Sequence, residues 1–212
     1  MTEEFLSLSG FTRYEEKIKR SIFIGSANVV FSELEAKNFI KAISDEFKNA
    51  THNCWAYKVE RKIAYSDAGE PSGTAGRPIF GAIEKLKLDN IAIVVTRFFG
   101  GIKLGVRGLI DAYSEVALRT FKSGEIVMYV PAYEVNLEMD YSVFDRFIKF
   151  VTRLGYDISV KNFEFTNIVK GRIYIPKKTI NDFENMIVDL KVYGKVHYDL
   201  GGEKYLYEKM EV

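Results

Sequence analysis

Ile91-Ala-Ile-Val-Val-Thr-Arg-Phe-Phe-Gly-Gly-Ile-Lys-Leu-Gly-Val-Arg-Gly108 decides how the first half of this chain is read. The run Ile91–Thr96 is short, apolar and β-branched, which predicts a strand buried on both faces. At Arg97 the pattern breaks into a glycine-rich loop, and helical spacing resumes over Leu109–Phe121. Glycine lets backbone approach a ligand closely, and a helix start adds outward N–H groups with partial positive charge. From Thr96 to Gly108 the ionisable residues are Arg97, Lys103 and Arg107, with no acid among them. Strand, glycine loop and helix in this order predict a contact for phosphate or RNA backbone. The stretch lacks the Gly-Lys-Ser/Thr ending of a P-loop and the dinucleotide glycine fingerprint. The plainer alternative is that the glycines serve tight turns and the cations are solvated.

Working upstream, Ser21–Val30 reads as a strand, and Ser32 with Glu35 forms a capping box for a helix over Glu33–Phe47. Cys54–Val59 resumes strand character. Tyr65–Pro78 has no periodicity and three glycines, which predicts a long loop, followed by a short helix over Ile79–Leu86. Downstream, Tyr133–Met139 alternates apolar and polar residues, the mark of a half-buried strand. A helix through Val143, Phe147, Ile148 and Val151 ends near Gly155. Strands at 157–169 and 171–175, a Thr179-capped helix to Leu190, and a strand from Val196 to Tyr207 complete a β-α-β-β-α-β order. That is the order of a ferredoxin-like split fold. The expected class is therefore α+β with two domains, 1–130 and 131–212, joined near Pro131.

Composition narrows the function classes. The chain has 212 residues, 47% hydrophobic and 28% charged, enough for two packed cores. No apolar run approaches membrane-spanning length and no signal-peptide pattern opens the chain, so a cytoplasmic protein without membrane contact is expected. The single cysteine, Cys54, excludes an internal disulfide. Net charge is +1, with 18 basic and 16 acidic residues up to Val130 and 12 and 13 beyond it. Any nucleic-acid contact must come from a local surface rather than bulk charge.

Three ordered motifs carry a family resemblance. Ala50-Thr-His-Asn-Cys-Trp-Ala-Tyr57, Asp67-Ala-Gly-Glu-Pro-Ser-Gly-Thr-Ala-Gly-Arg-Pro78 and Thr96-Arg-Phe-Phe-Gly-Gly-Ile-Lys-Leu-Gly105 together resemble the YigZ/IMPACT family. Lys19-Arg-Ser-Ile-Phe-Ile-Gly25 is similar to that family's first strand, and Tyr141-Ser142 to its small C-terminal domain. The resemblance implies an N-terminal domain like elongation factor G domain IV, a fold shared with a small-subunit ribosomal protein. It also implies a C-terminal domain like domain V of that factor. In the eukaryotic branch the domain belongs to a regulator of translation, so the implied partner is RNA, the ribosome or a translation factor. Two positions depart from the bacterial pattern: Arg107 stands where a third glycine is usual, and Asp111 where a basic residue is common.

The residues expected to meet an anion or nucleic acid are Lys19, Arg20, Arg77, Arg97, Gly100, Gly101, Lys103 and Arg107. A second group, His52, Asp67, Glu70, Ser72 and Thr74, is polar enough to serve a loop site. Asp67 and Glu70 suit acid/base work or a hard cation, and support the rival reading of a hydrolase or transferase on a small phosphorylated or amide substrate. The same residue types also satisfy a loop's own amides. His52 and Cys54 invite a nucleophile reading, without an orienting group or oxyanion hole to complete it. No cofactor or metal is expected: His52, Cys54 and the distant His197 do not make a tetrahedral set. In the second half, Tyr133, Phe163, Phe165, Tyr174, Tyr193 and Tyr198 offer a base-stacking platform, with about half of them expected in the core.

Overall fold

The computed structural model describes residues 4–153 and 163–209. The chain divides into two compact units, Phe5–Met128 and Tyr129–Glu208. The protein is thus a two-domain α+β molecule.

The first unit contains β1 (Phe5–Leu8), β2 (Thr12–Ile18), β3 (Ser21–Val29), α1 (Glu33–Glu46), β4 (His52–Val59), β5 (Lys62–Ser66), α2 (Gly76–Lys85), β6 (Ile91–Phe98) and α3 (Gly105–Ser123). Its sheet has the antiparallel order β2-β3-β6-β4-β5. β6 lies at the centre, which is why its sequence is apolar on both sides. Ile91, Ile93 and Val95 pack with α2 and α3, alongside Phe23, Ile79, Tyr113 and Phe121. Ala92 lies in a smaller cluster with Tyr57, Val59 and Ala36, against which Phe39 and Ile40 of α1 pack. α1 keeps the expected cap: the Glu35 amide donates to Ser32 Oγ at 3.2 Å, and the Phe31 amide to Glu35 Oε2 at 2.9 Å.

The second unit is built from β7 (Ile126–Met139), which crosses into it from the first, α4 (Tyr141–Arg153), β8 (Phe163–Phe165), β9 (Val169–Pro176), α5 (Ile180–Leu190) and β10 (Val196–Lys209). β7 pairs with β9 and with β10, and β9 pairs with β8, which is the ferredoxin-like arrangement; β1 also pairs with β7, making five strands. Val135, Leu137 and Ile173 face a core completed by Phe147 of α4 and Phe183 of α5.

Several boundaries differ from the sequence reading. α2 begins at Gly76 and α3 at Gly105, so Gly105–Gly108 is helix rather than loop. β1 and β2 were not expected, and β5 includes the first residues of the expected 65–78 loop. β7 runs unbroken through Pro131. The Thr179 hydroxyl donates to the Pro176 carbonyl in a short 3-10 turn and does not cap α5. The end of α4 near Gly155 and residues 157–162 of the strand expected over 157–169 lie outside the described residues. In the described part β8 ends at Phe165 and β9 begins at Val169, so the break expected near 170 falls earlier.

Candidate anion-binding site

Arg97, next to last in β6, is in phase with Ile91, Ile93 and Val95, so its side chain enters the core-facing side of the sheet. It is 5% exposed. Nη1 donates to Glu70 Oε1 at 2.6 Å and Nη2 to Ser21 Oγ at 3.4 Å. Glu70, itself buried, also accepts from the Tyr113 hydroxyl at 2.8 Å. Arg97, expected to meet an anion or nucleic acid, is instead neutralised by an acid from the loop between β5 and α2. Removing either member of such a pair strands a buried charge, at a cost of about 3–5 kcal/mol.

The loop that delivers Glu70 is organised by Asp67. Its Oδ1 accepts from the amides of Ala75 and Gly76 at 2.9 and 2.8 Å, and its Oδ2 from Gly73 at 2.8 Å. Burial works against ionisation there, and the amides of Gly73, Gly76 and Ala75 outweigh it, holding the carboxyl below its ordinary range. Asp67 thereby satisfies the start of α2 and is not placed for acid/base work. Thr74 donates locally to the Pro71 carbonyl at 2.7 Å, and Ser72 is exposed. Cys54 is fully buried, donates to the Asp67 carbonyl, and burial pushes its thiol up to about 12, which removes it as a nucleophile. Among the described residues no group of His, Cys, Asp and Glu is arranged to hold a metal.

His52, at the start of β4, lies beside this network. Its Nδ1 is 2.9 Å from the Ala68 carbonyl, and its Nε2 is 3.9 Å from Glu70 Oε2. His52, Glu70 and Arg97 line a pocket of about 420 Å³ with Phe99, Lys103 and the start of α3. That start is open: Leu104 supplies no side-chain cap, and the first turn holds no acid. No acceptor for the amides of Gly105, Val106 and Arg107 is present among the described residues.

The remaining cations divide into groups. Lys19 and Arg20 form the exposed β2–β3 turn. Gly100 lies against it so closely that a Cβ there would fall 1.7 Å from the Arg20 carbonyl oxygen. The turn and the Gly100–Lys103 loop therefore share one surface, and Gly101 takes φ +84° to pass it. Arg107 is exposed and pairs with Asp111 at 3.1 Å. The two departures from the bacterial pattern thus offset each other as an i,i+4 pair, worth little in solvent. Arg77 is exposed in the first turn of α2 and does not line the pocket.

The aromatics of the second unit do not form one platform. Phe163 is buried, Phe165 packs edge-on against Phe144, Tyr193 lies under Arg146, and Tyr198 meets Phe183. Where β7 and β9 pair, the sheet face away from the core carries Lys170 bonded to Glu138, and Arg172 3.3 Å from Glu134. These two cations are already paired with acids.

The chain is similar to known proteins over most of its length. Residues 19–121 match the Impact N-terminal domain. The IMPACT family member YvyE of Bacillus subtilis is 31% identical over 193 residues, covering 90% of this chain and 88% of the relative. The IMPACT family member YigZ of Escherichia coli is 28% identical over 180 residues, covering 82% and 87%. A crystal structure of a hypothetical protein superposes over the whole of both chains with a TM-score of 0.63 at 24% identity, a likeness of fold. The chain belongs to the IMPACT family. No helix among the described residues is long and apolar enough to cross a membrane.

Proposed function

We propose that this protein is a translation-associated binding module that engages RNA phosphates through the Lys19–Arg20 turn, Lys103 and the open first turn of α3. The observation that carries this reading is the close packing of Gly100 on the Arg20 carbonyl, which sets two cationic segments side by side next to uncapped helix amides. A helix start without its own cap favours an anion. Family membership supports the connection to translation, since in the eukaryotic branch the domain belongs to a translation regulator. Arg97 takes no direct part: it holds the loop in place from below. The rival catalytic reading loses its acid/base couple, because Asp67 is bonded to three amides and Glu70 to Arg97.

Co-sedimentation with ribosomes, and filter binding to structured RNA, test the proposal. Lys19→Ala, Arg20→Ala and Lys103→Ala together are expected to weaken binding broadly across RNA sequences, because phosphate contacts carry no base information. Retention by native protein and by the triple variant to the same extent would remove this surface from the interface.

A further inference from the structure

The pocket behind this surface has chemistry that a backbone phosphate does not use. Glu70 Oε1 is occupied by Arg97 and Tyr113, whereas Oε2 receives no hydrogen bond from any described residue. Its nearest charged neighbour, His52 Nε2, stands at 3.9 Å, beyond hydrogen-bonding distance. A carbonyl only accepts, so the bond to Ala68 places the hydrogen of the neutral ring on His52 Nδ1 and leaves a lone pair on Nε2. Two acceptors, one on a side chain only 3% exposed, therefore stand together in the lining of one pocket. Arg97 Nε, in the same network, is buried and without an acceptor. Acceptors that line a pocket and face no protein donor can receive hydrogen bonds from a ligand's donors.

The rest of the lining indicates that ligand. Lys103 and the first turn of α3 offer donors to an anion, and Phe99, 44% exposed, offers a ring face beside Leu104. A ligand that fits has adjacent hydroxyl donors at one end, an anion at the other and a flat group branching from the link between them. We propose that the pocket binds a ribonucleotide end: its cis-diol donates to Glu70 Oε2 and His52 Nε2, its phosphate meets Lys103 and the α3 amides, and its base lies on Phe99. The ligand is a free ribonucleotide or the terminal nucleotide of an RNA strand. The choice of RNA chemistry rests on the function proposed above, while the diol contact stands on Glu70 and His52 alone. An apolar amino acid carries its ammonium donors and its carboxylate on one carbon rather than at opposite ends, and it leaves much of a pocket of about 420 Å³ unfilled.

Amide spectra of the full chain, titrated with adenosine monophosphate, its dideoxy counterpart and leucine, test the assignment. Saturable shifts at His52, Gly105 and Val106 are expected with the ribonucleotide. Loss of the diol is expected to weaken binding by about tenfold or more, since one lost bond is to a charged group. His52→Phe and Lys103→Ala, both at accessible positions, are expected to weaken the ribonucleotide, while Lys19→Ala with Arg20→Ala leaves it unchanged. That last pair separates the two proposals, because it is expected to weaken structured RNA. An RNA oligomer with an intact terminal diol, compared with its periodate-oxidised form, distinguishes a strand end from a free nucleotide. Shifts elsewhere, equal affinity for the dideoxy compound, or preference for leucine would overturn the inference.

Discussion

Arg97 shows what a single position conveys in sequence and what it withholds. It sits in an acid-free glycine stretch, which reads as a contact for an outside anion, yet its carboxylate partner lies at Glu70 in a different loop. One signal was available: Arg97 continues the alternation of Ile91, Ile93 and Val95, and a charge in the core-facing phase of a buried strand requires a buried partner. Asp67 carries a prediction at the same scale. Its folded-state carboxyl is held below the ordinary range, so its contribution to stability is present above the unfolded-chain value of about 3.9 and is lost as pH falls below it. Urea denaturation from pH 7 to pH 3 is expected to show a smaller acid loss in Asp67→Asn than in the native chain. Equal acid sensitivity of the two proteins would contradict the role given to the Gly73, Ala75 and Gly76 amides.

Among the elements, those with strong local signals were legible. β6 is apolar throughout, α1 has its Ser32–Glu35 box, and the βαββαβ order of the second unit follows from periodicity. β2 was hidden because Thr12-Arg-Tyr-Glu-Glu-Lys-Ile18 places five polar residues in seven, and its one-sided burial shows only once β3 and α3 are beside it. The starts of α2 and α3 were missed because glycines open both helices, where sequence alone suggests loop. At α2 the reason is packing: a Cβ at Gly76 would meet the Ser66 backbone at 2.7 Å. The β2–β3 turn and the α3 loop were each expected to be cationic, but nothing local placed them together; the close approach at Gly100 does so. Gly100→Ala is expected to push the turn away from the loop, costing about 1–3 kcal/mol as an overpacked contact. RNA affinity is expected to fall with it. Chemical denaturation and RNA binding check the two effects, and a variant with native values for both would show that the surfaces are independent.

For the whole molecule, charge balance is the governing quantity. With a net charge of +1 the protein has no global field to attract nucleic acid, so affinity must arise from a few local phosphate contacts. The paired cations of the second unit's sheet face, Lys170 and Arg172, are expected to contribute nothing to it. The most direct measurement is the dependence of structured-RNA affinity on salt. Each phosphate contact contributes about 0.7–0.9 to the slope of log affinity against log salt. The slope is therefore expected to shrink by about 2–3 in the variant lacking Lys19, Arg20 and Lys103, and to stay unchanged when Lys170 and Arg172 are replaced by Ala. A native slope in the first variant, or a flattened one in the second, would contradict the account.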